Sequence, residues 1–156
     1  AKILMQVTHL IGGQPVDVAQ YRFIQNTPEW TASATLAYST PVGDGDLAMS
    51  TSWSYRSLTH QFEYPNPYID QPGYGLWDAN LVYSAPENRW SIGLHGKNIL
   101  DKQYITSGYQ FLATAPDGTP TRNAAGNFVP TLGTEGVATA FYGNPRQVFV
   151  TGTVKF

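Results

Sequence analysis

The chain has 156 residues, a formal net charge of −2 and no Cys, and 13% of its residues are charged while another 13% are aromatic. Nothing in this composition is basic enough to indicate nucleic acid as a partner, and disulfide or thiol chemistry is excluded. Charged residues are about half as frequent as in a typical soluble domain, so we expect part of the surface to face something other than water. No apolar run approaches the roughly 20 residues of a membrane-spanning helix, so any crossing of a bilayer has to use β-strands.

The first thirty residues show the weakest alternation of apolar and polar side chains. Residues 2–9 are predicted as an ascending strand, residues 12–15 as the start of an outer loop, and residues 19–24 as a strand extension that leads to Trp30. The first residues lack the charged, apolar and small-residue regions of a signal peptide. An exported protein would then need its signal upstream of this sequence.

Five later segments alternate between two kinds of side chain at every second position: residues 30–39, 47–56, 77–84, 90–97 and 148–156. In the first of them one face carries Trp30, Ala32, Ala34, Leu36 and Tyr38, and the other face carries small and mostly polar residues. Because successive side chains of a strand point to opposite faces, this pattern predicts strands that are apolar on one face only. Together with the weaker first strand, the sequence predicts about six strands.

The links between the predicted strands alternate in length. Residues 41–45 and 85–88 are rich in Gly, Pro, Asn and Asp and predict tight turns, whereas residues 57–73 and 112–143 form longer links. Short periplasmic turns and longer extracellular loops are typical of bacterial outer-membrane barrels. The sequence therefore predicts an all-β fold, an antiparallel transmembrane β-barrel in which the last strand ends on the periplasmic side.

Aromatic residues lie near the ends of the apolar faces, where they predict the girdles of a membrane barrel. The girdle residues are Trp30, Tyr38, Trp53, Tyr55, Trp77, Tyr83 and Trp90. Eight residues separate Trp30 from Tyr38, which corresponds to roughly 20 Å of height in a tilted strand and approaches the lipid-facing band of about 25 Å. A soluble β-sandwich is the alternative, but it would normally cover its outer face with Lys and Glu, and these strands carry Ser, Thr and Ala there.

Five short motifs carry a resemblance to a known family. They are Asn26-Thr27-Pro28-Glu29-Trp30, Ser54-Tyr55-Arg56-Ser57, Pro72-Gly73-Tyr74, residues 96–104 (GKNILDKQY) and Tyr142-Gly143-Asn144-Pro145-Arg146. In this order, and followed by Phe156, they resemble the C-terminal barrel of TonB-dependent outer-membrane receptors. The resemblance implies that residues 1–156 form the last strands of a 22-stranded barrel. The N-terminal plug, the TonB box and the earlier strands are then not present, and six strands alone cannot close in lipid.

The resemblance also implies a function. Such receptors lie in the outer membrane of Gram-negative bacteria and import scarce nutrients, commonly ferric siderophores but also cobalamin, haem or oligosaccharides, with energy that TonB supplies through the plug. The implied partners are the lipid bilayer, the barrel assembly machinery, TonB and a small-molecule ligand such as an iron chelate. The alternative is a small passive or structural barrel, an anchor or an adhesin, which would need two strands from the first 25 residues. No cofactor is expected, and no catalytic constellation indicates an enzyme.

Two sets of residues are candidates for specific roles. Val148, Val150, Val154 and Phe156 resemble the C-terminal signal that the barrel assembly machinery reads. Tyr64, Tyr68, Tyr109, Phe111 and Arg122 lie in the predicted outer loops and offer stacking surfaces and one cation to a ligand. Packing between loops remains the alternative for this second set.

Other polar residues receive structural interpretations. Asn98 and Asp101 predict a side-chain-to-backbone turn or bulge at a strand end. His9, His60 and His95 lack the spacing of metal ligands, and His95 falls on the polar, lumen-facing side, where contact with solvent or a plug is expected. The residues from Asp117-Gly118 to Asn123 and Asn127 fit no EF-hand spacing and favour a plain Gly/Asn turn over a calcium loop.

Overall fold

A computed structural model describes residues 5–63, 65–115, 119–131 and 138–156. Across that part of the chain the regular structure consists of β-strands and two single-turn 3₁₀ helices, and every strand pair is antiparallel. None of its helices is long and apolar enough to cross a membrane. The predicted all-β, antiparallel fold class is confirmed, whereas the closed barrel and its 22 strands remain predictions.

The chain divides into two compact units. The sheet unit comprises Trp30–Arg56, Tyr74–Gln103 and Asn144–Phe156, and the loop unit comprises the described residues of Ala1–Glu29, Ser57–Gly73 and Tyr104–Gly143. All five strongly alternating segments fall in the sheet unit. That residues 1–156 belong to a single barrel domain stays a prediction.

The sheet unit contains one five-stranded sheet in the order β3-β4-β5-β6-β9. Its strands are β3 (Thr31–Val42), β4 (Gly45–Arg56), β5 (Tyr74–Ser84), β6 (Trp90–Lys97) and β9 (Gln147–Val154). The connections from β3 to β4 and from β5 to β6 are short and lie at one end of the sheet, and β9 ends there too, since Val154 pairs with Trp90. The predicted pattern of short turns and long links is therefore confirmed.

The register keeps the alternation in phase across all five strands. One row of neighbours on one face consists of Tyr38, Met49, Leu81, Leu94 and Val150. A one-residue slip in any pair would place apolar side chains opposite polar ones, so the shared pattern favours this register. The two predicted faces are thus continuous surfaces of the sheet.

The strand boundaries differ from the prediction by a few residues. Trp30 lies just before β3, and Phe156 lies beyond the last ladder residue of β9. Pro41 and Val42, predicted in a turn, pair with β4 and leave a two-residue turn in which Gly43 has a φ of 62°. Among the described residues β3 has a neighbour on one side only, and Pro within a sheet is found on strands of this kind.

The second predicted turn, residues 85–88, is confirmed and contains the 3₁₀ turn Pro86–Asn88. Glu87 and Asn88 both have positive φ angles, 54° and 55°. The chain reverses direction between β5 and β6 at these two residues. The N–H of Ala85 donates to the carbonyl of Trp90 at 2.9 Å and closes the turn.

The prediction for the first thirty residues is wrong in three respects. The ascending strand 2–9 is replaced by β1 (Thr8–Ile11), although residues 1–4 lie outside the described part. Gly12 and Gly13, with φ of 60° and 80°, form a tight turn into β2 (Gln14–Asp17) rather than opening an outer loop. Residues 19–24 contain the 3₁₀ turn Ala19–Tyr21 instead of a strand, and the Asp17 side chain accepts the N–H of Ala19 at 3.0 Å.

Two further strands were not predicted, one just before the long link of residues 112–143 and one near its end. They are β7 (Ile105–Gln110) and β8 (Ala138–Tyr142), which form a two-stranded sheet with a register shift between Ile105 and Ser107. The described residues therefore contain five long strands and four short ones, not about six strands of one kind.

Buried amide side chains stabilise the loop unit beside a small apolar core of Val18, Ile69 and Leu112. Asn66 donates through Nδ2 to Oε1 of Gln110. Gln71 accepts the N–H of Ile105 at 2.6 Å and donates to the carbonyl of Pro72 at 2.7 Å. Such side chains satisfy backbone groups that short strands leave without ladder partners.

Candidate functional site

The five-stranded sheet presents an apolar face to its surroundings. Leu36 is 71% exposed, Leu94 49% and Val150 65%. The apolar face also includes Tyr38, Met49, Trp77, Leu81, Ile92 and Val148. Monomeric soluble proteins rarely expose contiguous apolar patches larger than a few hundred Å², so we expect this face to be covered by protein or lipid.

Aromatic rings lie toward both ends of the apolar face. Trp53 stacks on Tyr55 with ring centroids 6.0 Å apart and pairs with Trp77 on the neighbouring strand, whereas Tyr83 contacts Trp90 at 5.5 Å. Trp77 and Tyr83 are six positions apart on β5, or about 20 Å along the strand. Of the other predicted girdle residues, Tyr38 is level with Leu81, two residues nearer the middle of the sheet than Tyr83, and Trp30 precedes β3. Their role at a membrane interface stays a prediction.

The opposite face carries a hydrogen-bond network across four strands. The Nδ1 atom of His95 lies 2.9 Å from Oδ1 of Asn80, and its Nε2 atom lies 2.9 Å from Oγ1 of Thr151. Asn80 in turn donates to Oγ of Ser50 at 3.2 Å. The His95 ring also stacks on Phe149 at 4.9 Å. Both imidazole nitrogens are therefore engaged by neighbouring strands, which orients this side chain on the polar face.

Gly93 leaves room for this network. A Cβ atom at this position would lie 2.5 Å from Nε2 of His95 and 2.8 Å from Oγ1 of Thr151. We expect Gly93→Ala to break the His95–Thr151 hydrogen bond and to lower the free energy of unfolding by about 1–2 kcal/mol. The imidazole ¹⁵N chemical shifts of His95 and the denaturant midpoint measure the two effects. Gly152→Ala is the control, because its Cβ would meet nothing within 4 Å; equal losses in both variants would contradict the expectation.

Asn98 and Asp101 form the predicted side-chain-to-backbone turn. Asn98 donates through Nδ2 to the carbonyls of Lys102 and Asn144, at 2.9 and 3.0 Å, and accepts the N–H of Lys102 at 2.8 Å. Asp101 accepts the N–H of Arg146 at 2.9 Å. These bonds join the segment that leaves β6 to the segment that enters β9, so the turn interpretation is confirmed.

The structure brings two of the ligand candidates together on a third residue. The guanidinium carbon of Arg122 lies 3.8 Å from the ring centroid of Phe128, and Nη1 of Arg122 donates to the carbonyl of Gly126 at 2.6 Å. Phe128 meets the ring of Tyr68 edge-on at 5.6 Å. The sequence reasoning missed Phe128, although its position opposite Arg122 across a turn could have indicated it. These three residues are called the Arg122 cluster below.

Two asparagines close the turn beneath the Arg122 cluster. Asn123 accepts the N–H groups of Ala125 and Asn127 through Oδ1, each at 3.0 Å. Because Oδ1 of Asn123 accepts two backbone N–H groups of this turn, the predicted Gly/Asn turn is confirmed. Residues 117 and 118 of this tract lie outside the described residues.

Tyr109 and Phe111 form a second aromatic contact. Their ring centroids are 5.4 Å apart at an interplanar angle of 63°, and Tyr109 also lies 6.1 Å from Phe141. Such contacts are those of loop packing, the alternative noted for these residues, and they leave both rings more than one-third exposed. The remaining candidate, Tyr64, lies outside the described residues.

Comparison with known proteins finds a partial likeness to a receptor. The chain is 30% identical over 79 residues to the ferric-pyoverdine M114 receptor PbuA of Pseudomonas sp. (strain M114), a match that covers 51% of this chain and 6% of the relative. The chain is similar to part of a receptor. No protein family and no solved structure is found to match it. The relative's name is that of a receptor and not of an enzyme, which agrees with the expectation from the sequence.

Proposed function

We propose that this chain is part of an outer-membrane receptor that takes up a scarce nutrient, a ferric siderophore or a similar chelate, with energy supplied by TonB. The continuous exposed apolar face, backed by a polar face, is the observation that carries this proposal. The partial likeness to a ferric-pyoverdine receptor supports the class of ligand.

The two faces of the sheet fit a barrel wall. Lipid would cover the apolar face, and the Ser- and Thr-rich face with His95 and Asn80 would line the lumen, as in barrels whose interior is polar. Among the described residues, β3 and β9 each have a neighbour on one side only. In lipid such edges must be paired, so this proposal includes further strands that continue the sheet toward a closed barrel of about 22 strands.

The loop unit supplies candidate contacts for the ligand. Arg122 is exposed and offers a cation to an anionic iron chelate, while Tyr68, Tyr109 and Phe111 offer aromatic surfaces. The apolar positions Val148, Val150 and Val154 lie on the apolar face, and with Phe156 we propose them as the motif that the barrel assembly machinery recognises.

Uptake of radioactive iron tests the receptor proposal. A strain that lacks the whole protein should lose uptake of at least one ferric chelate from a panel under iron limitation, and the plasmid-borne protein should restore it. Because the proposed transport is energised, the restored uptake should vanish in a strain without TonB. Uptake that persists there would favour the passive barrel, and unchanged uptake of every chelate would contradict an iron receptor.

A further inference from the structure

The loop unit contains a cavity whose wall includes none of the ligand-binding candidates that were selected from the sequence. Its volume is about 310 Å³, near the lower end of the range for small-molecule sites. Its wall includes the apolar side chains Phe23, Ile24 and Leu58 and the polar side chains Thr27, Glu29 and His60. The cavity therefore combines apolar surface with polar side chains that can interact with a ligand by charge or hydrogen bonding.

His60 is held in one orientation. Its Nδ1 atom donates to Oδ2 of Asp70 at 2.7 Å, and Asp70 also accepts the N–H groups of Asn66 and Gln61, at 3.0 and 3.3 Å. The ring of Phe23 packs against the imidazole with centroids 4.3 Å apart. A proton on Nδ1 leaves the lone pair on Nε2, so Nε2 is the nitrogen that remains to accept a hydrogen bond from a ligand in the cavity.

The charges around the cavity favour a cation. Glu29 is exposed in the cavity wall and takes part in none of the ion pairs found in the described part of the chain, where Arg22 pairs with Glu63 and Arg89 with Glu87. Neither Lys nor Arg is among the described residues that line the cavity. With two carboxylates near one imidazole, an anionic ligand would be repelled and a cationic one attracted.

We propose that this cavity binds a small organic ammonium compound. The apolar body of the ligand lies against Phe23, Ile24 and Leu58, its ammonium group pairs with Glu29, and one of its N–H groups donates to Nε2 of His60. A charge-assisted hydrogen bond to a carboxylate is about twice as strong as a neutral one, and the face of a nearby aromatic ring also attracts a cation. This site depends only on residues of the loop unit and is independent of the receptor proposal.

Isothermal titration of the full chain in detergent micelles tests the site, with empty micelles as the blank. Phenethylamine, 2-phenylethanol and 3-phenylpropanoate are the probes, because they share an apolar body and differ in the charge of the head group. We expect the amine to bind at least tenfold more tightly than the alcohol, and the carboxylate more weakly than both. Equal affinity for the amine and the alcohol, or the absence of binding by the amine, would overturn the proposal.

A substitution tests whether the carboxylate of Glu29 causes the preference for the amine over the alcohol. Glu29→Gln should lower the affinity for phenethylamine about tenfold and leave that for 2-phenylethanol within about twofold. Since Glu29 is exposed, the substitution leaves the fold intact. The matched control is Glu87→Gln, which removes an exposed carboxylate of the sheet unit and should change neither affinity. A Glu29→Gln variant that keeps the full preference for the amine would refute the assigned contact.

Discussion

Replacing Leu81 with Lys is expected to reduce the folded, membrane-inserted population severely. Leu81 lies between Met49 and Leu94 on the apolar face, and it is near the middle of the interval from Trp77 to Tyr83. A Lys on the lipid face near the bilayer midplane costs about 2–4 kcal/mol. A typical native protein has only about 5–15 kcal/mol of stability, so this single change would remove a large part of it. The heat-modifiable fraction in isolated outer membranes measures the effect.

Val82→Lys is the matched control, because the same charge is placed one residue away on the opposite face of β5. Val82 pairs with Ala48 and Gly93 on the polar face, where a water-filled lumen would accept a cation. We expect this variant to assemble at least half as well as the unmodified protein. Equal loss in both variants would contradict the assignment of the two faces.

A fluorescence measurement separates lipid from another protein layer over the apolar face. In a background whose four native Trp are replaced by Phe, Leu81→Trp should be quenched strongly in bilayers with brominated acyl chains if lipid covers this position, and Val82→Trp should not. Quenching confined to Val82→Trp would reverse the assignment of the two faces, and quenching absent from both would support a soluble sandwich in which protein covers the apolar face.

The sheet unit could be predicted because alternation follows directly from strand geometry. Every second side chain of a strand points to one face, so Leu36 and Tyr38 indicated a face without any knowledge of neighbours. The sequence did not determine where the strands end. Thr40, Pro41 and Val42 extend β3 because their partners on β4 continue the ladder, and this is a property of the pair rather than of either segment.

The loop unit escaped prediction for a different physical reason. β7 contains Gly108, and β8 begins with Ala138, Thr139 and Ala140, so neither shows a distinct apolar face. Ring contacts and buried amides such as Gln110 stabilise them instead of an amphipathic pattern. Contacts of this kind join residues far apart in sequence, which composition and spacing do not reveal.

The candidate sites show the same limit. Tyr68 and Arg122 were selected separately for their chemistry, but only the fold places both on Phe128. The cavity beside His60 was not foreseen at all, because Phe23 and Glu29 come from the first thirty residues and Leu58 from a later link. Residue chemistry can nominate such side chains, and tertiary structure decides which of them share a site.

The second large effect is expected at Asn98, which is 5% exposed and has a φ of 48°. Asn98→Ala removes three side-chain hydrogen bonds to the backbone of Lys102 and Asn144, each with a net contribution of about 1 kcal/mol. It also places Ala in the left-handed region, at a cost of about 1 kcal/mol. We therefore expect the free energy of unfolding to fall by about 3–4 kcal/mol, as measured by denaturant titration of tryptophan fluorescence in micelles.

Two further variants divide this loss between the side chain and the backbone. Asn98→Gly keeps the left-handed conformation without strain, so it should lose the hydrogen bonds alone. Asn88→Ala is the reverse control, since Asn88 has a φ of 55° in an exposed turn and should lose about 1 kcal/mol. If Asn98→Ala cost no more than Asn88→Ala, the bonds to Lys102 and Asn144 would not hold the ends of β6 and β9 together. The expected ranking, with Asn98→Ala the most damaging, follows because one of these bonds joins Asn98 to Asn144, 46 positions away in the chain.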